Sequence, residues 1–165
     1  MTTLTNEAPN RATVTMSTDR EIQIERVFNA RRELVWRAMT EPKLLAQWWG
    51  RGNKLVIERQ ELQRGGHWRF VEQTPGGPQG FEGRYREVTP PERLSLTFEW
   101  DGAPGHVAVN TLVLEDLGDG RTKLRGTLQF FTTQDRDGMV QAGMERGMNE
   151  SYAALDRVLT TMTDD

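Results

Sequence analysis

The sequence contains no cysteine, which excludes a disulfide framework and thiolate chemistry and gives no sign of an oxidising compartment. Histidine is nearly as scarce. His67 and His106 are the only two, and neither has a second histidine or a carboxylate at helical or hairpin spacing, so zinc would lack its three or four converging donors. An excess of one charge is missing as well: 21 basic and 24 acidic residues leave a net charge of -3. With the signs interspersed, there is no basic stripe of the kind a nucleic-acid-binding protein presents. The densest basic pair, Arg31-Arg32, fits the solvent face of a helix. No long apolar run opens the chain. Met1 to Asp19 is polar, reads as neither signal peptide nor membrane span, and points to the cytoplasm. Nucleophile elbow, phosphate loop, paired carboxylates and internal repeats are all missing, so neither a metal nor a cofactor is expected.

What is present supports one substantial core: 165 residues, 36% of them hydrophobic. Residues 1–19 are expected to form a flexible tail, with Thr13 to Met16 as a weak strand extension, and residues 20–162 a single domain. Ile22, Ile24 and Phe28 give a first strand with one apolar face. In Arg31 to Gly50 the period becomes helical. Leu34, Val35, Ala38 and Met39 recur at helix spacing, and Pro42 suits the first turn of a second helix. That helix is expected to close on Trp48 and Trp49, with Gly50 and Gly52 as the stop.

Strand periodicity then holds as far as Phe131. The expected strands are Lys54 to Leu62, His67 to Gln73, Phe81 to Val88, Leu94 to Trp100, Val107 to Leu117 and Thr122 to Phe131. Arg64-Gly-Gly66, the loop tip Pro75-Gly-Gly-Pro78, Pro90-Pro91, Asp101-Gly102 and Gly118-Asp-Gly120 punctuate them. From Thr132 onward Val140, Met144, Met148, Tyr152, Leu155, Leu159 and Met162 trace one stripe of a long helix, about 40 Å at 1.5 Å per residue. Gly143 and Gly147 each cost that helix roughly 1 kcal/mol relative to alanine. Close packing is the commoner reason for such glycines, and room for a ligand the alternative. The whole reads as α+β: an antiparallel sheet of about seven strands curved around a C-terminal helix, with two short helices after strand 1.

Five segments carry a family resemblance: Arg26 to Pro42; Gln47-Trp-Trp-Gly50; Gly65-Gly-His-Trp-Arg-Phe70; Gly83 to Leu94; and Gly143 to Asp156. In this order they resemble the SRPBCC or START-like superfamily, in the branch named for homologues of the activator of the 90-kilodalton heat-shock protein ATPase. Glu61-Leu-Gln-Arg64 lacks a proline common there before the paired glycines. The resemblance implies a helix-grip fold with a cavity between sheet and C-terminal helix, used across the superfamily for lipids, sterols, polyketides and plant hormones.

The leading expectation is therefore binding of a small hydrophobic, lipid-like or aromatic molecule. Cavity candidates are Trp49, Trp68, Phe70, Phe81, Tyr85, Phe98, Trp100, Met144, Met148 and Tyr152, aromatic or adaptable side chains on apolar faces; Met139 adds to the same region. The rival reading is that they only fill the core. A co-chaperone-like interaction module and a cyclase or dehydratase-type enzyme are the alternatives. For the enzyme, Glu72, Glu87 and Tyr85 are weak acid–base candidates, the two carboxylates because strand parity puts them on the apolar face. By the same parity His67 faces solvent, while Arg69, Arg84 and Arg86 suit an outer cross-strand ionic patch. A chaperone partner and a homodimer are compatible with the sequence, which specifies neither.

Overall fold

The computed structural model describes residues 11–162. Eight strands form one sheet: β1 (Thr13–Thr18), β2 (Glu21–Phe28), β3 (Lys54–Gln60), β4 (His67–Thr74), β5 (Gly77–Thr89), β6 (Arg93–Trp100), β7 (Ala108–Asp116) and β8 (Thr122–Gln129). Helices α1 (Arg32–Thr40) and α2 (Pro42–Leu45) link β2 to β3, and α3 (Thr133–Gln141) and α4 (Met144–Thr161) follow β8. The sheet order is β1-β2-β8-β7-β6-β5-β4-β3, antiparallel throughout. β3 to β8 are a meander. β2 closes it by pairing with the last strand, so the α1–α2 connection must cross the sheet. The result is the curved sheet and C-terminal helix of the helix-grip fold.

Four expectations change. The sheet has eight strands rather than about seven, because Thr13–Thr18 pairs with β2, Val14 opposite Ile24. Its weak alternation suffices because an edge strand needs only one partner; residues 1–10 of the expected tail lie outside the described residues. The final helix is also not continuous. Gly143 takes φ 85°, a left-handed conformation that ends α3 and starts α4 in a new direction, so its helix cost is replaced by a break. Finally, α2 stops at Leu45, and Trp48 and Trp49 lie in the turns beyond it. The loop tip at Pro75 also tightens, since Thr74 already pairs with Gly77.

On the concave face, cross-strand rows of apolar side chains form the core. Ile22, Ile24, Phe28, Leu94, Leu114 and Leu124 are buried, closed over by Leu34, Val35 and Ala38 of α1 and Leu155, Val158 and Leu159 of α4. A half-buried ion pair ties α4 to the sheet: Arg26 of β2 donates to both oxygens of Asp156 at 2.9 and 2.7 Å. Its guanidinium also sits 4.6 Å from the Phe28 ring centre, and Phe28 meets Tyr152 edge-on at 5.5 Å. Burial pushes the Tyr152 phenol well above its ordinary range, a shift that the nearby Arg26 charge opposes.

Candidate functional site

The adjacent tryptophans face opposite ways. Trp48 is buried, and its indole N–H donates to the Ala38 carbonyl at 2.8 Å, tying the turn to α1. Trp49 turns toward the sheet and meets Phe70 and Phe81 edge-on, with ring centres 5.4 and 5.3 Å away. Behind it Trp68 lies 4.8 Å from Phe70 and 6.0 Å from Phe98, and Phe81 stacks on Phe98 at 5.4 Å. Five rings from a turn and three strands thus make one cluster, as the alternation of β4, β5 and β6 requires.

The cluster is sealed at one end and open at the other. Trp68 (0% exposed), Phe70, Tyr85 and Tyr152 belong to the closed core. Trp49, Phe81, Phe98, Met144 and Met148 are only partly covered, and so are Met139 of α3 and the concave-face residues Leu96, Leu112 and Leu128. The break at Gly143 explains this. α3 buries none of its residues, so it leaves uncovered the strand segments that a straight helix would close. The partly covered side chains between the sheet and the α3–α4 corner are apolar, which makes this region the candidate site for a ligand. Trp100, a cavity candidate, sits opposite Phe81 at the end of β6 and is 41% exposed, its indole N–H donating to Gln79 at 2.8 Å.

Among the acid–base candidates, Glu72 is where parity places it, on the concave face and 1% exposed at its side chain. It is fully engaged. Arg51 reaches it through Nε and Nη2 at 3.2, 2.9 and 3.0 Å, and Asn53 Nδ2 donates at 2.7 Å. Arg51 holds φ 54°, unusual for a side-chain-bearing residue. Gly147 of α4 explains how its side chain passes, since a Cβ there would lie 3.2 Å from Arg51 Cδ. Close packing is thus the reason for Gly147, although the partner is the loop after Trp49 rather than the sheet.

Glu87 is corrected. The β5–β6 register changes between Tyr85 opposite Leu96 and Glu87 opposite Ser95, so a bulge at Arg86 reverses the parity beyond it. Glu87 points outward and accepts from Arg93 at 2.8 Å, and that bond holds its carboxyl below the usual glutamate value. Tyr85 is buried inward, its phenol raised by desolvation against a weaker opposing hydrogen bond from Gln60. At neutral pH it is a phenol and not a phenolate base.

Of the residues expected in an outer ionic patch, Arg69 is bonded to Glu58, Glu82 and Asp101 at 3.0, 3.2 and 2.7 Å, whereas Arg84 donates to the Gly65 carbonyl at 3.3 Å. His67 lies there too, 3.5 Å from Glu82, and His106 pairs with Asp135 at 2.8 Å. Among the described residues no three His, Asp or Glu side chains gather as a metal site. The opposite side of the sheet holds a separate open depression of about 470 Å³, bordered by Arg64, Arg86, Glu87, Arg93, Ser95 and Thr111. Tyr85 also reaches it, while Leu96, Phe98, Leu112 and Leu128 do not.

The aromatic selection missed the aliphatic members of the candidate site, Leu96, Leu112 and Leu128, although the same alternation identifies them. It also missed Asn110, a polar residue in register between Leu96 and Leu128, and Gln60, whose Nε2 donates to Thr40 O at 2.7 Å. Arg51 and Asn53 carried no signal, because their role depends on a turn that brings them over β4.

Residues 29–160 match the family described as activator of Hsp90 ATPase homolog 1-like protein. No curated protein matches the chain. Among solved structures, one from Rhodobacter sphaeroides is similar at 28% identity and TM-score 0.84, covering 93% of this chain and all (100%) of that one. Structures from Arthrobacter aurescens (23% identity, TM-score 0.81, 92% of each chain) and Mycobacterium smegmatis (18%, 0.81, 92% of this chain and 99% of that one) share the fold.

Proposed function

The chain belongs to the activator of Hsp90 ATPase homolog 1-like family, and on that premise we propose that it binds a small hydrophobic molecule between the concave sheet face and the α3–α4 corner. The observation that carries this reading is the partial exposure of Leu96, Phe98, Leu112 and Leu128 on a face where Ile22, Ile24, Leu94, Leu114 and Leu124 are buried. Apolar side chains left open beneath a broken helix lose burial free energy that a ligand would recover, at about 25 cal/mol per Å² covered. Binding asks no catalytic residue of the site. Acid–base catalysis has less support, since Glu72 is held by Arg51 and Asn53 and Glu87 faces out. A chaperone partner rests on the family description alone.

Thermal melting against a panel of neutral hydrophobic and aromatic compounds tests the reading. A ligand at 100 times its Kd adds about 2.7 kcal/mol, several degrees for a chain of this size. A saturable rise for one chemical class supports binding. Unchanged melts across lipid-like, sterol-like and polycyclic compounds, with capture of a chaperone's middle domain, would favour the interaction reading.

A further inference from the structure

We propose that Asn110 is the polar recognition point of the site between the sheet and the α3–α4 corner, selecting a neutral, largely apolar ligand that carries a hydroxyl group. This rests on that region being a binding site. Asn110 sits opposite Leu96 on one side and Leu128 on the other. Its Oδ1 is buried without a hydrogen-bond partner, a state that costs the protein free energy unless something arrives to satisfy it. Across Leu96 the same row reaches Tyr85, about two strand spacings or ~10 Å away. Beside Tyr85, the Gln60 Oε1 is likewise buried and unpartnered.

The ionised side chains of the concave face are already matched within the protein, Arg26 with Asp156 and Glu72 with Arg51. A charged ligand would enter this region with no countercharge waiting for it. A pure hydrocarbon would cover Asn110 and leave its carboxamide unsatisfied. A hydroxyl can donate to Oδ1, whereas a ketone has no proton to give and would leave that atom unsatisfied. The ligand class is thereby narrowed to an apolar body with one hydroxyl group.

Naphthalene and 2-naphthol, which differ by that one hydroxyl, test this by calorimetric titration of the wild-type protein and Asn110→Leu. A featureless apolar site favours naphthalene, because the hydroxyl must be desolvated. The inference predicts that the wild type instead prefers 2-naphthol about tenfold, and that Asn110→Leu loses this preference while keeping naphthalene. Retention of the preference in Asn110→Leu overturns the inference and leaves the binding reading standing. Failure of both probes to bind the wild type overturns both. Should Asn110→Leu not fold, the Asn110 side-chain amide resonance decides in the wild type: it must move with 2-naphthol and not with naphthalene, and equal response to the two overturns the assignment.

Discussion

Replacing Arg51 by alanine should destabilise the protein far more than an exposed arginine ordinarily would. Its side chain is 45% exposed, yet its partner Glu72 is 1% exposed. Removing one partner of a fully buried pair costs about 3–5 kcal/mol, mostly from the charge left behind. Water can follow the departing Arg51, and Asn53 keeps its 2.7 Å bond to Glu72, so the expected cost falls to about 2–3 kcal/mol of a total of about 5–15. In urea, at about 2 kcal/mol/M, the midpoint should drop by about 1–1.5 M at pH 7 with the slope unchanged. Glu72→Gln should cost less, about 1 kcal/mol, because Arg51 can turn into water. The double variant should be no less stable than Arg51→Ala, since the stranded charge is gone. Arg51→Gly should recover about 1 kcal/mol of the alanine loss by relieving the backbone at φ 54°. A midpoint for Arg51→Ala within about 0.3 M of wild type would refute the stabilising role of the Arg51–Glu72 pair, as would a double variant showing the simple sum of both losses.

Gly147→Ala gains helix propensity but presses on Arg51 Cδ at 3.2 Å; chemical denaturation should show little change in the wild type and about 1 kcal/mol of stabilisation in Arg51→Ala. Gly143→Ala should destabilise by about 1 kcal/mol because of its φ of 85°, whereas Gly138→Ala, with nothing within 4 Å of the new Cβ, should stabilise by about as much; melting temperatures moving in the same direction would contradict the α3–α4 break. Hydrogen bonds hold three carboxyls below their ordinary values: from the His67 backbone and then Arg59 for Glu61, from Arg93 for Glu87, and from Arg69 for Asp101. Depressed folded values contribute stability above the unfolded ones, 4.5 for the glutamates and 3.8 for Asp101. Melting temperature should therefore be level above about pH 5.5 and fall as the pH drops further, with a smaller fall in Asp101→Asn; a melt that rises toward pH 4 would contradict those bonds.

Most of the sheet was legible because its alternation is strict: Leu94 to Trp100 fixes a strand and its inner face without any tertiary information. Legibility failed where one residue changes the count. The bulge at Arg86 turns Glu87 outward, and no periodicity announces a bulge before the partner strand is known. At Gly143 the apolar stripe runs on through Met144 and Met148, so the sequence reads as one helix; only the left-handed backbone shows the break. Apolar positions alone could not distinguish a filled core from a binding site, because Met144 and Met148 keep the same spacing whether the helix is straight or broken. Glu72 was legible as a buried carboxylate, but its neutralisation by Arg51 and Asn53 depends on the path of the chain after Trp49.

Methyl-resolved NMR during titration with 2-naphthol tests the central claim most directly, since the partly exposed Leu96, Leu112, Leu128, Met139, Met144 and Met148 all carry methyl groups. Binding between the sheet and the α3–α4 corner predicts saturable shifts concentrated on those methyls, with Leu155 and Leu159 of the sealed end unmoved. Shifts absent from those methyls, or spread evenly over the molecular surface, would contradict it.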